Sequence, residues 1–391
     1  MKRYFLRIGA LLGMAGVLLV GSTLNGADPV QFLPQPLAEK TADGFEVPRA
    51  GHVFEFPRDH GAHPAFKVEW WYLTGHLFGP AGERFGFQAT FFRRALKLRP
   101  LEVSRDGAFH SDEVFLFHAA VLDVQSGSFV HSERLARSGW DAGASEQGLS
   151  VRVGEARLDA LENGSEKFTL EAAVRTNAGF SLTLEALKPL VVFGKDGVSR
   201  KGDSPTAASW YLTFPRLQAQ GTVRWKDRLV PVSGHVWMDH EISSSQLTGE
   251  QAGWDWAGIQ FEDGREIMVY RLRRKDGETD PASALEWVDR DGRTAHYGAS
   301  DFRWESDGKW RSPRTGAVYP LPVRLSALDP ETGKTVELIL APIVADQELD
   351  GAVSGVPYWE GACKVMKDGR EVGSAYVELT GYAGSLGRAL R

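Results

Sequence analysis

Cysteine is nearly missing from this sequence: of 391 residues, Cys363 alone is one. A lone thiol excludes an intrachain disulfide and any Cys-rich zinc or iron–sulfur centre. Positive charge is not in excess either. The 45 Lys and Arg stand against 51 Asp and Glu, a formal net charge of −6, so no nucleic-acid partner is expected. Helical i, i+3, i+4 apolar stripes are almost absent. Residues 92–104 suit a short helix, but Pro100 interrupts it. Phosphate-cradling GxxxxGK[ST] and dinucleotide GxGxxG loops are missing, no Ser has Gly at both −2 and +2, and no HExxH occurs. No cofactor and no metal are therefore expected. Beyond its first residues the chain has no apolar run long enough to cross a bilayer, which takes about 20 residues.

What is present begins with a leader. Lys2, Arg3 and Arg7 precede an apolar run from Ile8 to Val20 and a small, polar stretch from Gly21 to Ala27. Basic head, short apolar middle and small-residue end describe a secretory signal peptide over residues 1–27, so the mature chain is expected to be periplasmic or secreted. Its removal takes the net charge from −6 to −9. The chain also exceeds the roughly 250–300 residues one core organises, which predicts two domains. Its 12 Trp, 21 Phe and 9 Tyr suit broad sheets around a ligand space, or large cores.

The dominant local signal is Asp-Gly, at nine places from Asp43-Gly44 to Asp368-Gly369. This dipeptide tolerates the positive φ angles of tight hairpins. Phe85, Phe87, Ala89 and Phe91 alternate with polar or small residues, as do Phe168, Leu170, Ala172 and Val174. Period-2 alternation with hairpin turns predicts an all-β protein of barrels or sandwiches. Segment 241–253, polar and strand-poor, is expected to be a linker or long loop. A faint internal echo links Trp71-Tyr72-Leu73-Thr74-Gly75, Trp210-Tyr211-Leu212-Thr213-Phe214 and Glu378-Leu379-Thr380-Gly381-Tyr382.

Three clusters set acids or imidazoles beside large aromatics. They are Phe56–Pro64 with Glu69-Trp70-Trp71-Tyr72, Gly234–Glu241 with Gly253–Trp256, and Pro357–Gly361. In an extended chain Trp237, Asp239 and Glu241 share one face, and Met238 and His240 the other. Glu69 and Trp71 likewise lie opposite Trp70 and Tyr72, and Asp255 opposite Trp254 and Trp256. A carboxyl among indoles loses hydration, which raises its pKa and lets it donate a proton. The same acids also suit a structural role, accepting indole N–H bonds, and both readings stay open for Asp239 and Glu241. Glu360 suits pairing with an Arg, and His118, among Phe115, Phe117 and Ala119, suits a core or lumen position.

At these clusters the sequence resembles the AttH-like, or carotenoid 1,2-hydratase-like, family of lipocalin-type proteins, over about residues 50–383. The Trp-Met-Asp-His-Glu-Ile-Ser-Ser-Ser run at 237–245 is similar to its secreted branch. The resemblance implies two tandem lipocalin-like antiparallel β-barrel domains, taken as 46–245 and 246–383. It also implies hydro-lyase chemistry in which a proton donor in a dry pocket protonates a C=C bond and aromatic faces stabilise the cation. Asp239, His235, Tyr270 and Asp255 are the catalytic candidates on this reading. Glu69, Trp71, Trp237, His240, Glu241, Trp254, Trp256, Trp359 and Glu360 are the ligand-binding candidates. The expected partner is an apolar or amphipathic small molecule. Two alternatives stand beside it: a non-catalytic accessory or lipid carrier associated with a membrane transporter, and a metal-dependent hydrolase using His60, His63 and His240.

Overall fold

Apolar side chains two residues apart bury one face of a strand, and here that pattern builds two antiparallel sheets. The structure, a computed structural model, describes residues 34–98, 112–162 and 165–384. The leader over 1–27 and the Asp106-Gly107 turn lie outside the described residues. The first sheet runs, neighbour to neighbour, from Ser128–Arg137 through Glu113–Asp123, Arg84–Ala95, Val68–Phe78, Arg228–Ser245, Ala208–Trp225, Ala178–Ala186, Lys167–Arg175, Ala156–Ala160 and Ser150–Val153 to Ala142–Ala144. The second runs from Thr294–Gly298 through Ala284–Val288, Glu266–Arg274, Gln251–Phe261, Arg370–Leu379, Tyr358–Lys367, Thr335–Pro342 and Val323–Leu328 to Phe302–Ser306. Each curls into a nearly closed barrel, of 11 and 9 strands. The expected all-β pair of lipocalin-like barrels is what the chain forms.

Asp-Gly turns join paired neighbouring strands at 263–264, 291–292 and 368–369, but Asp307-Gly308 does not. Asp368-Gly369 joins Tyr358–Lys367 to Arg370–Leu379 with φ of 49° and 76°, the two positive values a type I′ hairpin demands. Two sequence expectations fail. Residues 92–95 complete the strand Arg84–Ala95 instead of opening a helix, because Phe92 and Arg94 alternate with buried Phe91, Arg93 and Ala95. Segment 241–253 is mostly strand, since Arg228–Ser245 continues to 245 and Gln251–Phe261 starts at 251. Backbone pairing with Val68–Phe78 and Ala208–Trp225 holds its polar residues extended, and residues 246–250 alone connect the sheets.

The three largest apolar clusters follow from the two faces of each sheet. Phe85, Phe87, Phe91, Phe117 and Phe168 fill the first barrel, and Trp287, Trp304, Tyr319, Trp359 and Cys363 fill the second. A third cluster, with Tyr72, Tyr211, Trp237, Trp256, Tyr270 and Tyr376, fills the seam between them. Opposite charge ties that seam. A bulge after Phe214 frees Pro215 and Arg216 from the ladder, and Arg216 Nε meets Glu266 Oε1 of the second barrel at 2.6 Å. Lys188 meets the other oxygen at 2.5 Å. Close approach needs a missing side chain: a Cβ on Gly86 would stand 2.9 Å from both Ala362 Cβ and Tyr376 Oη.

Candidate functional site

A cavity of about 360 Å³ opens in the seam. Strand alternation decides which residues see it. Along Arg228–Ser245, Val236 and Met238 point into the first barrel, which turns Asp239 and Glu241 outward into the cavity. Trp70 and Tyr72 do the same on Val68–Phe78, Thr90 and Phe92 on Arg84–Ala95, and Tyr211 on Ala208–Trp225. The second barrel answers with Trp254, Trp256, Tyr270, Tyr358, Glu360 and Glu378. Leu247, Thr248 and Gly249 of the connector form part of the lip.

Asp239 sits on the floor, 2% exposed. Tyr211 donates to its Oδ2 at 2.8 Å, and Thr213 and Trp237 donate to Oδ1 at 2.6 and 2.8 Å. Burial drives its pKa up and those three donors pull it back, leaving it at about 7. Trp256 in turn donates to Tyr211 Oη at 2.9 Å. Glu360 and Glu378 are directly opposite on neighbouring strands. Burial raises Glu378 to about 7 against a hydrogen bond with Trp254. Burial and the Glu378 charge push Glu360 well above the usual carboxylate range, while Tyr72 donates to its Oε1 at 2.5 Å. Glu241 is the paired acid: Lys201 Nζ lies 3.1 Å away, and that ammonium rests over the rings of Tyr270 and Tyr211 at 4.2 and 4.8 Å. The floor therefore presents protonatable carboxyls in an aromatic enclosure, which suits general acid chemistry.

The opposite strand faces hold a second cluster. Glu69, fully buried, accepts at Oε1 from His63 Nδ1 and His240 Nε2, each at 2.8 Å, and at Oε2 from the His63 backbone N–H at 2.9 Å. Arg93 stands 3.4 Å from Oε2. Burial raises Glu69, but the His63 cation and both imidazole hydrogen bonds overrule it and hold the carboxyl well below its usual range. The ligand atoms of His63, Glu69 and His240 all lie within 4.8 Å of one another. Both imidazoles already bond the carboxylate and the guanidinium competes for it, while His240 Nδ1 is buried without a partner among the described residues. His60 stands apart, packed on Phe168 and Phe214.

Of the candidates read from the sequence, the cavity brings together Asp239, Glu241, Trp254, Trp256, Tyr270 and Glu360, with Trp237 bonded to Asp239 just behind its wall. Six others do not line it. Glu69, Trp71 and His240 face the first barrel's interior, where the Trp71 ring stacks on His240. Trp359 lies in the second barrel's core and donates to Ala345 O. Asp255 points away from its Trp neighbours to Arg273 at 2.9 Å and Tyr382 at 2.9 Å. His235 is half-buried beside His76 and Gln218. Glu360 pairs with a tyrosine where an arginine was considered, and His118 faces the other barrel, 2.8 Å from Tyr358 Oη, not the lumen.

Sequence reasoning missed Tyr72, Tyr211, Thr213, Glu378, Lys201 and Tyr358 as site residues. The internal echo held a signal for four of them, since Tyr72, Tyr211, Thr213 and Glu378 all stand in its three copies.

Residues 47–382 match the AttH-like family. Among solved structures, an AttH candidate from Nitrosomonas europaea is 34% identical, with a TM-score of 0.74 over 85% of this chain and 98% of that one. Kievitone hydratase from Nectria haematococca superposes with a TM-score of 0.65 over 90% of this chain and 98% of that one; at 15% identity this is a likeness of fold. The ceramide-binding protein SVF1 of Debaryomyces hansenii is 24% identical over 112 residues, 28% of this chain and 30% of that protein, so the match spans less than a third of that relative.

Proposed function

This chain belongs to the AttH-like family, and from that premise we propose that it binds an apolar or amphipathic small molecule in the inter-barrel cavity and hydrates it with Asp239 as the acid. The observation that carries the reading is the buried Asp239 carboxyl, titrating at about 7 inside an enclosure of indoles and phenols. Support in kind comes from relatives whose names include a hydratase and a ceramide-binding protein. In the reaction, the Asp239 O–H proton goes to one alkene carbon as the π pair forms the new C–H bond. Water oxygen then bonds to the cationic carbon and gives its extra proton back to the carboxylate. Trp256 and Tyr72, whose rings meet edge-on at 5.1 Å, present aromatic surface to the positive charge. The leader-like segment at 1–27 supports a place beyond the inner membrane.

Native mass spectrometry of protein from its own cells, followed by organic extraction, tests the binding step. A small-molecule adduct is expected, lost in Trp256→Ala and kept in Trp140→Ala, which alters an indole exposed far outside the cavity. Incubating the extract in ¹⁸O-water should add one labelled water with the wild type and none with Asp239→Asn. An adduct that survives Trp256→Ala overturns the site. Binding without labelled product leaves a carrier in place of a hydro-lyase.

A further inference from the structure

The cavity is short of positive charge and rich in acids. Four carboxyl groups face it, from Asp239, Glu241, Glu360 and Glu378. Among the described residues, Lys201 is the one buried cation in its wall, and Glu241 already engages it at 3.1 Å. At the lip, Lys67 is held by Asp43 at 2.5 Å, and Lys275 is exposed to water, where its field is screened. Glu360 lines this space, and its Oε2 is buried without a hydrogen-bond partner among the described residues, on a side chain 1% exposed. Like-charged side chains directly opposite on adjacent strands are normally disfavoured, yet Glu360 and Glu378 stand so.

We infer that this site selects uncharged amphiphiles and rejects anionic ones: its occupant brings a hydroxyl, carbonyl or alkene to the floor, never a carboxylate, sulfate or phosphate. The inference rests on the binding reading above and narrows it to a ligand class. A neutral hydroxyl can accept from a protonated carboxyl or donate to an ionised one, so it suits this acid-lined floor in either state. An anion placed there meets uncompensated acids in a low-dielectric space. The titratable neighbours do not reverse this. Tyr72, Tyr211, Tyr270 and Tyr358 are held neutral by burial, as is His118 behind Tyr358.

Two fluorescent probes on one anilinonaphthalene scaffold provide the test. N-phenyl-1-naphthylamine is uncharged, and 8-anilino-1-naphthalenesulfonate adds a fixed negative charge. At about pH 8, wild-type protein is expected to bind the neutral probe at least about tenfold more tightly, with the signal lost in Trp256→Ala. Lowering the pH to about 6 protonates Asp239 and Glu378, whose values lie at about 7. The anionic probe should then gain severalfold in affinity while the neutral one stays level. The double variant Glu360→Gln/Glu378→Gln should narrow the gap at pH 8, leaving the part that the ionised Asp239 supplies. If that variant does not fold, the wild-type pH series decides. Equal affinity of both probes at pH 8, each lost in Trp256→Ala, overturns the charge selection and leaves the binding site standing. No binding of either probe removes the binding reading itself.

Discussion

Glu69 and Asp239 lie on neighbouring strands, on opposite faces, and both are almost wholly buried, at 0% and 2% exposure. Burial pushes both carboxyls up, yet Glu69 ends far below its usual range and Asp239 ends at about 7. Their company explains the difference. Glu69 meets a cationic imidazole, a second imidazole and a guanidinium, and Asp239 meets neutral hydroxyl and indole donors. Net charge in the first contact layer, not depth, decides whether a buried acid becomes a structural tie or a proton store.

Removing each acid should separate the two roles most widely. Glu69→Gln leaves the His63 and Arg93 cations buried with one fewer countercharge, and is expected to cost about 3–5 kcal/mol of unfolding free energy. Asp239→Asn keeps the shape and most donors, and should shift stability at pH 7 by less than about 1 kcal/mol while abolishing the proposed hydration. Urea melts of both variants check this, and similar losses in the two would erase the contrast.

The pH dependence gives a second, somewhat smaller separation. Because Asp239 is raised from 3.8 to about 7, the folded state holds its proton more tightly than the unfolded one. Its contribution is full below about pH 4 and is lost as pH rises through 7, on the order of 2–4 kcal/mol. Glu69 is lowered, so its contribution is present above pH 4.5 and fades on acidification. Stability measured from pH 4 to 8 should fall less steeply in Asp239→Asn than in the wild type, and an unchanged slope would show that Asp239 is ionised throughout. The smallest effect is expected for Trp256→Phe. It deletes the N–H donated to Tyr211 and should cost about 1 kcal/mol. It also withdraws one prop from the neutral network while leaving Glu69 untouched, as the acid limb of the same melts would show.

Much of this was legible in the sequence, and one thing systematically was not. Alternation around 236–241 correctly put Asp239 and Glu241 on one face with His240 on the other, and the Asp-Gly turns at 263–264, 291–292 and 368–369 marked hairpins that the backbone forms. Alternation does not say which face enters a barrel and which meets its neighbour, because both surroundings are apolar. That is why Trp71, His240 and Trp359, inside the barrels, read like Trp256 and Tyr270, between them. The strand around 241–245 was hidden for a related reason. Its Ser residues are poor strand formers in isolation, and Ser243 and Ser244 are held by bonds to Ala208 O and Glu46 O, residues distant in the sequence. Lys201 carried no local pattern, since tertiary pairing alone brings it to the cavity, and Tyr358, though inside the Pro357–Gly361 cluster, was not set apart from its neighbours there.

Gly86 has a further consequence. The two barrels meet there across a hydrogen atom, with Ala362 and Tyr376 filling the room a methyl would need. A bulkier residue at 86 would act as a shim, prising the halves apart at a point outside the cavity's lining. The spacing of the barrels is thus set at a residue outside the chamber, apart from the acids on its floor.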